Sequence, residues 1–228
     1  MGFYSRLNTF IPKQSCVLCG DSARFCVCKT CELDLVVHAN RCLSCAAKLN
    51  SELDFCGACL SHAPRFSRAY TLYDYSDVCA QLIKQFRFEP QLCIGDYFAH
   101  QFYGLYTHLI KNEGQYDAII PLPLSNERLK ERGYNQTHEL LSVIKKRTKT
   151  TVDISSVKRI KATKALSSLN LEQRKKEIKN AFSARSMTYQ KVLLVDDVMT
   201  TGASLNELAK TVLKAGVQSC DVMTLARS

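Results

Sequence analysis

Two acidic side chains, Asp196 and Asp197, stand side by side directly after the aliphatic run Val192, Leu193, Leu194, Val195. Thr200, Thr201, Gly202, Ala203 and Ser204 follow, and then a helical pattern. Four consecutive aliphatic residues predict a strand buried on both faces, as in a parallel sheet. The end of such a strand, leading into a helix N-terminus, is where α/β folds bind anions. Backbone N–H groups of residues 200–204, with the hydroxyls of Thr200, Thr201 and Ser204, can cradle a phosphate, and Gly202 lets the backbone come close. Asp196 and Asp197 can accept hydrogen bonds from neighbouring hydroxyls, directly or through Mg²⁺. Adjacent carboxylates repel each other, and burial raises that cost; an ordinary strand-to-helix turn has no need of them.

A second set of reactive side chains lies near the N-terminus. Of 12 cysteines, eight form four C-x-x-C pairs: Cys16 with Cys19, Cys28 with Cys31, Cys42 with Cys45, and Cys56 with Cys59. Each pair places two thiolates on one side of a tight knuckle, and two knuckles complete a tetrahedral sulfur site that suits Zn²⁺. Two structural zinc ions are expected, with all positions filled and none open for a catalytic water. The simplest pairing is sequential, the first pair with the second and the third with the fourth; an interleaved one satisfies the count equally. Cys26 is either spare or a substitute ligand. Cys79, Cys93 and Cys220 sit in apolar contexts, as small buried side chains do. His38 and His62 lie near the knuckles, and the cysteine count needs neither. This stretch has few large apolar residues, so metal must supply its folding free energy.

The chain is 228 residues long with a net charge of +10. The excess is concentrated: residues 125–185 hold 16 basic and 6 acidic side chains. A block of that kind favours a polyanionic partner. Lys145, Lys146, Arg147, Arg174, Lys175 and Lys176 are its densest clusters and the candidate nucleic-acid contacts. No apolar run approaches the roughly 20 residues of a membrane helix, and residues 1–13 lack the apolar core of a signal peptide. A cytoplasmic location is expected, where thiols stay reduced and available to metal.

These groups need elements to hold them. A strand is predicted at 69–75, then a helix capped by Ser76 and running to about Phe88, with Val78, Leu82, Ile83 and Phe86 on one face. A second helix covers roughly 93–111. A buried strand at 116–124 ends in Pro121, Leu122, Pro123. Helical periodicity resumes near Glu127 and strengthens over 137–146, and a short strand fits 152–155. Residues 158–180 are polar and basic without clear strands. Strands at 191–196 and 220–225 flank a helix at 204–215. Alternating strands and helices predict an α/β fold with a parallel sheet. Two domains are expected, 1–64 around the cysteines and 65–228 around the sheet.

The stretch 192–204 resembles the phosphoribosyl-pyrophosphate (PRPP) motif of type I phosphoribosyltransferases. In order along the chain stand Pro121-Leu122-Pro123, Arg128, Arg132-Gly133-Tyr134-Asn135-Gln136, a basic stretch, Asn180-Ala181-Phe182 and the PRPP-like loop. With the cysteine-rich N-terminus, that series resembles the ComF/GntX family over roughly residues 14–226. The resemblance implies a phosphoribosyltransferase-like parallel sheet flanked by helices, with a small N-terminal double zinc ribbon. It implies PRPP binding by Asp196, Asp197, Thr200, Thr201, Gly202, Ala203 and Ser204, with Arg128 and Arg132 facing pyrophosphate, and Mg²⁺ accompanying PRPP. Asp196 and Asp197 would also be the catalytic pair. The chain departs from the family at Leu166 and Glu177, where Gln and Asn are usual, while Arg174 matches.

Two functions follow from the resemblance. One is the handling of incoming single-stranded DNA during natural transformation, with DNA-uptake or recombination proteins as further partners. Tyr103, Tyr106, Tyr134 or Phe182 would then offer platforms for base stacking. The other is a metabolic transferase that uses PRPP and Mg²⁺ to glycosylate a nucleobase or amine, or a sensor that binds PRPP without turning it over.

Overall fold

The computed structural model of the chain describes residues 14–35, 40–50, 52–88, 92–161 and 176–228. Its N-terminal part carries a small antiparallel pair, β1 (Gln14–Ser15) and β2 (Ser22–Ala23), and two one-turn helices, α1 (Lys29–Leu33) and α2 (Gly57–Ser61). Then come β3 (Ala69–Asp74), α3 (Asp77–Phe88), α4 (Leu92–Glu113) and β4 (Ala118–Pro121). Three short helices follow: α5 (Asn126–Arg132), α6 (Gln136–Leu140) and α7 (Ser142–Arg147). The remaining elements are β5 (Thr151–Val152), β6 (Val157–Arg159), β7 (Phe182–Ala184), β8 (Lys191–Met199), α8 (Ala203–Lys214) and β9 (Ser219–Arg227).

Five strands form one parallel sheet in the order β3-β9-β8-β4-β5. Successive residues of a strand point to opposite faces, and β8 feeds both. Leu193 and Val195 join Ile119, Met223 and Leu225 under α3, α4, α6 and α7. Val192 and Leu194 join Ile120, Val222 and the α8 residues Leu205, Leu208 and Val212 on the other side. A strand covered on both faces has no polar positions to spare, which explains its unbroken aliphatic run.

Two elements differ from the sequence expectation. The strand expected to end at Asp196 runs on to Met199, because β9 continues beside it: Asp196 pairs with Thr224 and Val198 with Ala226. On its other side β4 ends at Pro121, opposite Val195. The two carboxylates therefore stand where half the sheet has already stopped. Residues 157–159, in a stretch without a legible strand, form β6 and pair antiparallel with β7, Arg159 opposite Phe182. That ladder joins residues distant in sequence and leaves no local signature.

The cysteine-rich part packs against the helices and sheet. Cys16, Ala23, Cys26, Val27, Cys31 and Leu35 are buried in the cluster that contains α4, and Ala46 in the cluster on the opposite face. Among the described residues, no helix is long and apolar enough to cross a membrane.

Candidate functional site

The C-terminal edge of the sheet gathers the candidate residues. Gly202 caps α8 with φ of 74°, a left-handed conformation that L-residues adopt only with strain. The turn it makes lets Thr201 Oγ1 accept from Ala203 N (3.3 Å), while Gly202 O accepts from Asn206 N (2.8 Å). Thr200 and Thr201 are exposed, and Ala203 and Ser204 are half-buried at the helix start. Arg227, at the end of β9, donates to the carbonyls of Met199 (3.3 Å) and Thr200, and its Nε donates to Cys45 O at 3.0 Å. One guanidinium thus braces both the loop and the Cys42–Cys45 knuckle.

Strand alternation separates the two carboxylates. Asp197 turns toward α3, where Arg87 donates to both its oxygens, Nε to Oδ2 and Nη2 to Oδ1, each at 2.7 Å. Asp197 is 6% exposed. Asp196 is less enclosed; its Oδ1 accepts from Asp197 N at 2.9 Å, and no described donor meets its Oδ2. Burial first, and the charge of Asp197 second, push the Asp196 carboxyl well above the usual carboxylate range. A divalent cation or a pair of ligand hydroxyls would relieve that cost. A single open carboxylate oxygen fits Mg²⁺, which binds through one or two carboxylates plus phosphate and water.

Sequence reasoning passed over Arg87, which reads there as an ordinary exposed helix cation. The Arg-Gly-Tyr-Asn-Gln stretch explains its position. Gly133 closes α5 with φ of 75°. Tyr134 donates its hydroxyl to Phe86 O, and Gln136 Nε2 donates to Arg87 O at 3.4 Å. Asn135 caps α6, its Oδ1 accepting from Thr137 N at 3.0 Å. In this structure Tyr134 and Gln136 hold the end of α3, and through it the arginine that grips Asp197. Arg128 lies in the first turn of α5, its N–H donating to the N-cap Ser125 Oγ at 3.4 Å, and Arg132 is the last residue of that helix. A cleft of ≈ 390 Å³ opens beside α5, lined among others by Pro121, Leu129, Asn135, Asp153 and Val157.

The eight C-x-x-C cysteines form two groups, Cys16, Cys19, Cys28, Cys31 and Cys42, Cys45, Cys56, Cys59, each with its sulfurs within 4.8 Å of one another. The sequential pairing is the one adopted. Cys19 and Cys28 Sγ are 3.7 Å apart, and Cys45 and Cys56 Sγ 3.6 Å. A tetrahedron with metal–sulfur bonds of about 2.3 Å has edges of about 3.8 Å, whereas a disulfide needs about 2.05 Å. Backbone N–H groups of Cys28 and Cys56 donate to Cys16 Sγ (3.4 Å) and Cys42 Sγ (3.3 Å). Burial opposes ionisation at Cys16, and the backbone N–H groups of Cys28, Cys19 and Leu18 outweigh it, bringing that thiol down to about 6. Both groups can hold a metal ion. Cys26 belongs to neither: its thiol donates to Cys93 O at 3.1 Å. His62 follows α2 outside both groups, and His38 lies outside the described residues.

Lys145, Lys146 and Arg147 are exposed in the last turn of α7, and the Arg147 guanidinium lies over the Tyr103 ring, 5.5 Å from its centroid. Lys176 is exposed; Arg174, Lys175 and Leu166 lie outside the described residues. Of the aromatic platforms, Tyr106 is fully buried and hydrogen-bonded to Thr150 Oγ1 at 2.6 Å, Phe182 is 5% exposed, and Tyr134 is tied to α3. Packing withdraws Tyr106 and Phe182; Tyr134 and Tyr103 are half-buried.

No family model matches the chain. Similarity to characterised proteins is extensive nonetheless. Competence protein F of Haemophilus influenzae is 35% identical over 197 residues, which cover 82% of this chain and 84% of that protein. The chain belongs to the ComF family. Within the family, DNA utilization protein YhgH of Escherichia coli K12 is 27% identical, covering 89% of this chain and 90% of its own length. Competence protein ComFC of Bacillus subtilis is 29% identical over 160 residues, or 69% of this chain and 63% of that protein.

Proposed function

We propose that this chain is a cytoplasmic protein of DNA uptake that handles single-stranded DNA on a PRPP-binding, phosphoribosyltransferase-like domain (residues 65–228) stabilised by a double zinc ribbon (residues 1–64). The observation that carries the ligand assignment is the juxtaposition of Asp196 with the Gly202 turn. A carboxylate with an open oxygen stands beside a loop whose amides and hydroxyls suit a phosphate. Those are the two ends of a ribose 5-phosphate. The link to DNA rests on kinship with proteins named for competence and DNA utilization, supported by the basic block over residues 125–185.

Asp196 would accept from the ribose hydroxyls or hold Mg²⁺, which supplies charge neutralisation for the phosphate chain. Asp197 keeps Arg87 in place and sets the local field. Residues 200–204 would hold the 5′-phosphate, and Arg128 and Arg132 would face pyrophosphate, which guanidinium forks match in shape. Zinc is the metal that four thiolates at these distances suit best. Calorimetry of the purified protein with PRPP and Mg²⁺, and separately with a single-stranded oligonucleotide, tests the reading. Binding of both supports it; PRPP binding with no oligonucleotide binding at low salt moves the assignment to a metabolic phosphoribosyltransferase.

A further inference from the structure

Phe25 is 60% exposed, although the backbone that carries it is fixed. Ala23, Cys26 and Val27 around it are buried, and Cys26 O accepts from Val17 N at 2.8 Å. The same stretch is tied to α4: Cys26 Sγ donates to Cys93 O at 3.1 Å, and Tyr97 and Gln101 donate to Glu32 Oε1 at 3.0 and 2.8 Å. An ordered backbone thus holds the ring out into solvent, and the Arg24 guanidinium lies over it, 5.9 Å from the centroid. Beside the ring runs a groove of ≈ 1190 Å³, lined by Arg24, Phe25 and Lys29 from the cysteine-rich part, Leu92 and His100 from α4, and Ser142 from α7. Both helices carry this surface onward. Tyr103 follows His100 by three residues on α4, and Lys145 and Lys146 follow Ser142 by three and four on α7, spacings that place them on the same helix faces one turn further. There the Arg147 guanidinium lies over the Tyr103 ring at 5.5 Å. Two surface rings, each with a guanidinium over it, stand along one surface. Lys29 shares the groove with the first, and Lys145 and Lys146 flank the second.

We propose that a single DNA strand crosses from the end of α7 through this groove to the cysteine-rich part, with a base stacked on Phe25 and the neighbouring phosphates met by Arg24 and Lys29. The inference rests on the DNA-handling function proposed above and gives that function a second contact surface, away from the Asp196 site. Rings interleaved with cations are what a sequence-tolerant strand groove combines, because every base has a π-face and every nucleotide a phosphate. A guanidinium stacked on one face of a ring keeps its N–H edge for phosphate oxygens. Glu32, Asp96 and Glu139 also line the groove. Glu32 is engaged by Tyr97 and Gln101, and a middle of mixed charge suits bases, while the cations at the two ends suit phosphates.

The chain contains no tryptophan, so Phe25→Trp places a single indole reporter at the site. Oligo(dT) of about 15 nucleotides should quench its emission. A strand of equal length without bases should leave the emission unchanged, and so should Mg²⁺-pyrophosphate. Phe25→Ala should weaken oligo(dT) binding by about 5- to 150-fold with the salt dependence unchanged, and Phe25→Tyr should stay within about twofold of wild type. Arg24→Gln and Lys29→Gln should each reduce the slope of log K against log salt by about 0.7. Metal content and melting temperature are measured alongside. Phe25→Leu, which keeps apolar bulk without an aromatic face, serves if Phe25→Ala loses metal or melts well below wild type. Oligo(dT) that binds Phe25→Leu as tightly as wild type, or that leaves the indole unquenched, overturns the groove assignment and leaves the DNA-handling function standing. Wild-type protein that binds no oligo(dT) at low salt removes both.

Discussion

Arg87 and Asp197 meet as a two-pronged ion pair, both contacts at 2.7 Å, with the side chains 24% and 9% exposed. The pair ties the last turn of α3 to the strand end that carries the candidate ligand site. Removing one partner leaves the other charged and enclosed, which costs more than the pair itself contributes. Arg87→Met should therefore destabilise the protein by about 3 kcal/mol, measured as a shift of the urea midpoint at constant slope. It should also weaken PRPP binding, because Asp197 would no longer be held. A midpoint equal to wild type would show that the carboxylate finds other compensation.

Asp196 should behave in the opposite way. Among the described residues no arginine pairs with it, and its charge is disfavoured by burial and by Asp197. Asp196→Asn removes the repulsion and keeps the shape, so the melting temperature should hold or rise slightly, while Mg²⁺-PRPP affinity falls by at least about tenfold. Treated as a repelling pair, both carboxylates would stabilise the fold on removal. The Arg87 bridge reverses the sign for Asp197. Loss of PRPP binding in Asp197→Asn but not in Asp196→Asn would reverse the two roles.

How far the sequence reaches depends on where each signal is encoded. The C-x-x-C knuckles are local, so the spacing alone implied the two cysteine groups and the sequential pairing as the simplest choice. The proposed phosphate loop is local too: one aliphatic run, two carboxylates and a glycine within thirteen positions of chain. Arg87 was illegible because its partner lies 110 residues away. The β6–β7 ladder was illegible for the same reason. Tyr106 and Phe182 looked like stacking platforms because aromatic residues serve cores and ligands alike, and only packing separates the two uses.

The two cysteine groups should not be equivalent. Metal analysis of protein purified without added zinc should give about two equivalents per chain. Cys16→Ser and Cys42→Ser should each lower stability, since metal binding supplies folding free energy here. Only Cys42→Ser should also speed amide exchange in residues 200–204. The reason is Arg227, which donates to Cys45 O and to the carbonyls of Met199 and Thr200. Metal content near zero in a folded protein sinks the assignment, and equal exchange in both variants sinks the coupling.

Acid should loosen the β5–β6 corner before the rest. Burial opposes the Asp153 charge, but hydrogen bonds from Ser156 and Ser155 outweigh it and hold that carboxyl below its ordinary value. Tyr189 donates to the same carboxylate at 3.3 Å, and Arg185 Nε donates to Ser156 Oγ at 2.9 Å. A carboxyl depressed in the folded state contributes stability that is complete above its unfolded pKa and disappears as pH falls through the folded one. The stability of wild type relative to Asp153→Asn should thus be flat above about pH 5 and shrink below about pH 4. A difference that does not change with pH would assign the effect to shape instead of charge.

Single-stranded DNA should bind with little sequence preference and with an affinity that falls steeply with salt. Each phosphate neutralised on a single strand contributes about −0.7 to the slope of log K against log salt. Lys145, Lys146 and Arg147 project from the end of α7, and Arg147 lies over Tyr103. That combination of cations around one accessible ring is what a sequence-tolerant strand path requires. Charge reversal at the three cations should flatten the slope by about 2 if each meets one phosphate. Tyr103→Ala should lower affinity by about 1–3 kcal/mol with the slope unchanged, because stacking releases no counterions. Reversal at Lys210 and Lys214 on α8 adds two-thirds as much negative charge outside the basic block and should cost less than two-thirds of the loss. Losses in proportion to the charge reversed in the two sets would mean that the strand senses only net charge. A slope that moves with Tyr103→Ala would mean that the ring positions Arg147 and is not itself a stacking platform.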